Sequence, residues 1–184
     1  MGQFADHLFG SGDPTKAIEV IGKLFTQPRN RFSHQFADMV EIDNTAIGVM
    51  LSYPGLMMNR LGFSMGKQLL GIYGAIGFVR FVQRVLPLAL VREAKADEYF
   101  INTLAVSPDF QGQGIGTHLL SHAEHKAREM HCNKCALSVD VSNLRARLLY
   151  ERLGYRVVET IRLALPNSPG DCTAYHRMVK VLET

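Results

Sequence analysis

Three groups of residues in this 184-residue chain have the types and spacing to do chemistry. The first is the loop Gln111-Gly112-Gln113-Gly114-Ile115-Gly116, which joins the apolar run Tyr99–Val106 to a helix-patterned stretch beginning near Ile115. Glycines let a backbone approach a ligand closely, and a helix start offers unpaired N–H groups to an anion. Phosphate binding is the chemistry this pattern implies; a turn serving only helix–strand packing is the alternative the glycines leave open. A dinucleotide fingerprint would need glycine at Thr117, and a Walker loop would need Gly-Lys-Ser/Thr, so neither fits. The second group is His118, His122 and His125, extended by Glu129 along one helix face. Such a stripe could hold a metal. It lies opposite Leu119, Ala123 and Ala127, so it is expected to face solvent with no supporting partners, and no metal is expected. The third is Cys132-Asn133-Lys134-Cys135. A redox pair of this spacing sits at a helix N-terminus. This one falls where a helix ends and a strand begins, and Cys172 stands alone, which argues against zinc as well. Cys135 reads as a small core residue.

The elements that must position these residues can be read from periodicity and punctuation. Asp13-Pro14 caps a helix carrying Ile18, Ile21, Leu24 and Phe25, which Gln27-Pro28-Arg29-Asn30 ends. Met39–Ile42 and Ile47–Ser52 read as strands around the turn Asp43-Asn44. Leu56–Val91 reads as helix, apolar around most of its circumference and therefore largely buried. Its Gly71, Gly74 and Gly77 imply close backbone packing or a break. After the polar linker Glu93–Glu98, Tyr99–Val106 is a strand. Ile115–Met130 is a helix with core positions Leu119, Leu120, Ala123, Ala127 and Met130, and Cys135–Val139 is a strand. Asn143–Leu153 is a helix closed by Gly154. Tyr155–Leu165 and Thr173–Leu182 form a hairpin around Pro166–Asp171. The order predicts a single α/β domain over residues 1–184, with a mixed sheet flanked by helices and a helical insert at 54–92.

Composition narrows the function classes. The chain is 47% hydrophobic and 20% charged, ordinary for a globular domain and too apolar for disorder. Twenty basic against seventeen acidic residues give +3, too mild a balance to argue for nucleic acid. Three cysteines cannot close a disulfide framework, which favours a cytoplasmic protein. Met1–Asp6 does not open like a secretory signal, and the apolar run Gln68–Val79 is too short to span a bilayer.

Leu104-Ala105-Val106 followed by Gln111-x-x-Gly114-x-Gly116 resembles the acetyl-CoA signature of the GNAT family of N-acetyltransferases. Asn143-x-x-Ala146-x-x-Leu149-Tyr150-x-x-x-Gly154-Tyr155 resembles that family's next motif, in the right order and local structure. The likeness covers Glu98–Leu182 well, Met39–Ser52 loosely, and Leu56–Arg92 not at all. It implies a mostly antiparallel mixed sheet in which the signature strand splays from its neighbour, and acetyl-CoA as co-substrate. Leu104 and Val106, with Ala105 between them, would pair with the pantetheine arm. The N–H groups of Gln111, Gly112, Gln113, Gly114, Ile115, Gly116 and Thr117 would cradle the pyrophosphate. Asn143 would touch the cofactor or a water beside it. Tyr150 would protonate the departing thiolate, and the Leu104 N–H would polarise the thioester carbonyl.

The implied reaction is direct acetyl transfer to a primary amine of a small molecule or peptide. A non-catalytic acyl-CoA-binding regulatory module is the competing reading, because the signature strand carries Phe100, Ile101, Asn102 and Thr103 where some relatives have a carboxylate, and Asn102 cannot act as a base. Glu98, Glu41 and Asp140 are alternative bases, each expected to be a solvated surface charge. The family's usual first strand has no counterpart before the first helix. The insert holds Arg60, Lys67, Arg80, Arg84 and Arg92 with no acid from Pro54 onward. It reads as a substrate lid or buried packing ahead of a homodimer surface or a membrane-surface helix, and beside an acceptor cleft it would disfavour polycationic amines.

Overall fold

In a computed structural model of the chain, which describes residues 3–86, 93–164 and 172–183, the polypeptide forms two compact units. One is built on three helices. Helix α1 (Gln3–Gly10) leads to α2 (Pro14–Thr26), whose N-cap Asp13 accepts from the N–H of Thr15 at 2.9 Å and of Lys16 at 3.4 Å. Asn30, fully buried, ends α2 by donating to the carbonyls of Leu24 and Gln27. Helix α3 (Met58–Val85) breaks at Gly74, where φ is 69° and ψ 176°, a backbone state that strains any L side chain. Phe9, Ala17, Val20 and Leu24 pack with Leu69 and Phe81 from α3 to form this unit's core. The insert is thus helical from Met58 to Val85, its end at 87–92 lying outside the described residues, and one of its three spaced glycines is the break. Its burial, however, is confined to one side. Leu61, Leu69 and Phe81 are buried while Phe63, Leu70, Ile76 and Val79 are exposed, so an all-round apolar composition did not produce an all-round buried helix.

The second unit is a six-stranded sheet with two helices. Strands β1 (Ala37–Ile42), β2 (Thr45–Pro54), β3 (Glu98–Val106), β4 (Lys134–Asp140), β5 (Arg156–Ala164) and β6 (Cys172–Val181) lie in the order β1-β2-β3-β4-β6-β5. Among the described residues β1 is the first strand. The β1–β2 hairpin turns on Asp43 and Asn44, both at positive φ as a two-residue turn of primed type requires. The β1–β2, β2–β3 and β4–β6 pairs are antiparallel. The β3–β4 pair is parallel, joined by α4 (Ile115–Glu129); α5 (Leu144–Arg152) follows β4. Leu119, Leu120, Ala123 and Ala127 of α4 meet Tyr99, Ile101, Leu137 and Met178 in the core. Gly48 makes this approach possible, since a Cβ there would lie 2.9 Å from Ile115 Cγ2. Met130 is half exposed rather than core, because α4 stops at Glu129 and Met130 turns the chain away.

Candidate active site

The site begins with a count. Leu51 pairs with Thr103 and Ser52 with Ile101, so β3 holds one extra residue, Asn102, opposite consecutive residues of β2. A bulge bends its strand and raises the local twist. The parallel ladder between β3 and β4 ends at the same point, with Ile101 opposite Leu137. Beyond it β4 stays paired to β6 as far as Asp140 opposite Tyr175, while β3 follows β2. A wedge opens between two strands that are neighbours in the sheet.

The bulge also resets which side chains face which way. Tyr99 and Ile101 point into the core beneath α4, and three residues later Leu104 packs against that same core. The Ser107 N–H donates to Ile47 O at 2.8 Å, so by alternation Leu104 and Val106 aim their backbone N–H and C=O away from β2 and into the wedge. Gln111 marks that edge from the other side, its Nε2 donating to Val106 O at 3.1 Å.

The glycine loop closes one end. Gly112 and Gly114 have φ of 84° and 85°, the left-handed region that glycine alone enters cheaply. Gly114 is the N-cap of α4 and has no side chain to offer the first turn. His118 N–H already bonds to Gly114 O, leaving the N–H groups of Ile115, Gly116 and Thr117 unpaired and aligned, as an anion site needs. The Gln111 N–H, by contrast, is committed to Pro108 O at 3.3 Å, so Gln111 contributes its side chain rather than its backbone.

Wedge and loop share one cleft of about 430 Å³. Leu104 and Val106 line it from β3. Gln111, Gly112, Gly114, Ile115, Gly116 and Thr117 line it from the loop and α4. Asn143 and Tyr150 line it from α5. Ten of the twelve residues singled out from sequence are thereby gathered in one place. Ala105 and Gln113 are not among the lining: Ala105 has the opposite parity to its neighbours, and the Gln113 amide folds back onto Asp109 O. Asn143 Oδ1 caps α5 by accepting from Ala146 N–H at 3.1 Å. Tyr150 is only 8% exposed, its ring edge-on to Tyr155 at 6.0 Å. Burial pushes its hydroxyl up to about pKa 12, so the phenol is protonated across any physiological range.

Sequence reasoning missed Arg145 and Arg152, which also line the cleft. Arg145 Nη1 donates to Gln111 Oε1 at 2.9 Å, tying the start of α5 to the glycine loop. The available signal was an arginine two residues past the motif asparagine, with no acid beside it. Among the described residues no acid lines the cleft, so its walls favour an anion.

The remaining candidates fall elsewhere. Glu98 is not a solvated charge: it is 2% exposed, ion-paired to the buried Arg177 and bonded by Lys95 N–H at 2.7 Å. Glu41 is exposed on β1, and Asp140 accepts from Ser142 at the end of β4. Asn102 Oδ1 accepts from Tyr53 Oη at 3.2 Å. Cys135 is fully buried, with its thiol pushed by burial up to about pKa 12, as a core residue rather than a redox or metal group. His118, His122 and His125 are exposed on α4 but not without partners, since His122 Nε2 lies 3.3 Å from Asp38 Oδ1 and His125 Nε2 lies 3.3 Å from Glu129 Oε1.

Residues 12–155, most of the chain, match the acetyltransferase (GNAT) family. The chain belongs to that family. Within it, the [ribosomal protein bS18]-alanine N-acetyltransferase of Escherichia coli K12 is 32% identical over 80 residues, 44% of this chain and 54% of that one. The chain thus spans about half the length of these curated relatives. In fold it is similar to an N-acetyltransferase from Staphylococcus aureus Mu50, with a TM-score of 0.66 and 24% identity over 90% of this chain and 81% of that one. It is also similar to a GNAT family acetyltransferase from Elizabethkingia anophelis with acetyl-CoA bound, with a TM-score of 0.50 and 17% identity over 81% and 78% of the two chains.

Proposed function

We propose that this GNAT protein moves the acetyl group of acetyl-CoA directly to a primary amine. The observation that carries the reading is the bulge-made wedge between β3 and β4, opening onto an uncapped helix start. A wedge into which Leu104 turns its backbone N–H and C=O and Val106 its N–H, the Val106 carbonyl being held by Gln111, suits the amide-bearing pantetheine arm. The N–H groups from Gly112 to Thr117, with Arg145 and Arg152, suit the phosphates. The amine nitrogen attacks the thioester carbonyl carbon, the C–N bond forms and the C–S bond breaks. The Leu104 N–H steadies the oxyanion, and the thiolate leaves toward Tyr150.

The acceptor that best fits this site is an α-amine, at a peptide N-terminus or on an amino acid. Asn102 stands at the fork of the wedge in place of a carboxylate, so the site supplies no obvious base there. A lysine ammonium at pKa about 10.4 needs one, whereas an α-amine at about 7.7–8.0 is already substantially neutral near pH 7.5. The acceptor named for the Escherichia coli relative, an alanine of a ribosomal protein, is consistent with this choice.

Acetyl-CoA at 100 times its dissociation constant should stabilise the protein by about 2.7 kcal/mol, read as a raised melting temperature. Free thiol release with a panel of alanine-initiated peptides, amino acids, lysine and polyamines then ranks acceptors. Stabilisation with no turnover on any amine would support the acyl-CoA-binding module instead, and no stabilisation would remove both readings.

A further inference from the structure

The two long helices treat solvent differently. The exposed residues of α4 are conventional: Thr117, His118, Ser121, His122, His125, Arg128 and Glu129 are all polar. Along α3 the exposed side is apolar and cationic. Phe63, Lys67 and Leu70 recur at helical spacing before the Gly74 break, with Arg60 beside them, and Ile76, Val79 and Arg80 recur after it. Phe63 and Ile76 are 70% and 74% exposed. The opposite side, through Leu61, Leu69 and Phe81, is buried. This helix therefore has two apolar sides and only one core to bury them in.

What covers the outer side is indicated by its charge. There is no Asp or Glu from Pro54 to Arg92. Lys67 Nζ lies over the Phe63 ring, 4.7 Å from its centroid, so cation and aromatic face share one exposed patch. A second copy of the chain packed here by two-fold symmetry would set cations against cations. Nucleic acid would use the cations but leave Leu70, Ile76 and Val79 in water. An anionic lipid surface takes both, phosphates against the cations and acyl chains against the aliphatic groups. No helix among the described residues is long and apolar enough to cross a membrane, which fits a helix that lies on one.

We propose that the outer side of α3 docks this protein on an anionic lipid surface. The proposal is independent of acetyl transfer, since none of these residues lines the cleft. The test is flotation with vesicles of pure phosphatidylcholine and of a phosphatidylcholine–phosphatidylglycerol mixture. The protein is expected to float with the mixture only. Each cation near such a surface is worth about fivefold in partitioning, so Arg60→Gln/Lys67→Gln/Arg80→Gln should lose roughly a hundredfold. Ile76→Ser/Val79→Ser should lose at least about tenfold through the aliphatic contact alone. Both variants change exposed side chains, and an unchanged thermal melt confirms that the fold is intact. Failure of the wild-type protein to float, or flotation equal on both vesicles, overturns the proposal. So does a transfer RNA gel shift that survives Ile76→Ser/Val79→Ser in a protein that does not float. A dimer in light scattering that the same variant dissolves, again without flotation, overturns it in favour of a second copy.

Discussion

Tyr150→Phe separates two jobs a buried tyrosine could do for a departing thiolate. Burial raises the Tyr150 hydroxyl to about pKa 12. An alkyl thiol such as cysteine's titrates near 8.5, so handing the proton over completely would be uphill by about 3.5 units, or about 5 kcal/mol. Tyr150 should therefore donate a hydrogen bond to the developing thiolate and keep its proton, while the net proton comes from the ammonium formed on attack. A hydrogen bond to a charged group is worth about 1.5–3 kcal/mol, so Tyr150→Phe should lower kcat by roughly 10- to 150-fold. The phenyl ring keeps its packing on Tyr155, so the dissociation constant for acetyl-CoA should stay within about a factor of two. The assay is thiol release under saturating amine from pH 7 to 10.5, with binding measured by calorimetry. Because the phenol stays neutral through that range, Tyr150 should produce no falling limb in the wild-type profile. A loss beyond about a thousandfold would mean that the proton does move, and so would an alkaline limb that disappears in the variant. A loss under about threefold would place the sulfur somewhere other than beside Tyr150.

Arg145→Gln should weaken acetyl-CoA binding about tenfold at low ionic strength and less at high, while S-acetylpantetheine, which lacks the phosphates, should bind the variant and the wild type alike. Arg177→Met should cost about 3–5 kcal/mol in urea unfolding, because it strands the buried Glu98 carboxylate, and Glu98→Gln in the same chain should restore part of that loss. Cys135 should resist iodoacetamide at pH 8 in the folded protein and react on unfolding, as peptide mapping would show. Its folded pKa of about 12 lies above the ordinary 9.0, so the stability linked to it is present below pH 9. That stability is lost by up to about 1.4 kcal/mol per pH unit as pH rises toward 12, a slope that Cys135→Ala should reduce.

Local signals carried much of this structure into view. The cap at Asp13, the turn at Asp43-Asn44, the glycines at 112 and 114 and the break at Gly74 are all decided within a few residues of chain, and each stands where its residue type predicts. The glycine loop and Tyr150 could be named because their spacing is local too. What escaped depended on partners far away in sequence. Glu98 looks like a surface charge until Arg177, 79 residues on, is folded against it. The Asn102 bulge is invisible in β3 alone, since it exists only as a mismatch with β2. The outer side of α3 escaped because apolar residues all around a helix do not say which of them find a core.

The Asn102 bulge also says what this fold can trade and what it must keep. The wedge depends on β3 having one residue more than its partner, not on what that residue's side chain is. Substitution at position 102 can thus change the chemistry at the fork, from an amide to a carboxylate or a hydroxyl, without redrawing the cleft. Deleting a single residue there is a different kind of event. It would put β3 back in step with β2, with Leu104 still opposite Met50 and Val106 opposite Gly48, and let the ladder with β4 run on into the wedge. A lineage carrying this strand is free to vary its acid–base equipment by point mutation, but its length between Ile101 and Leu104 is locked.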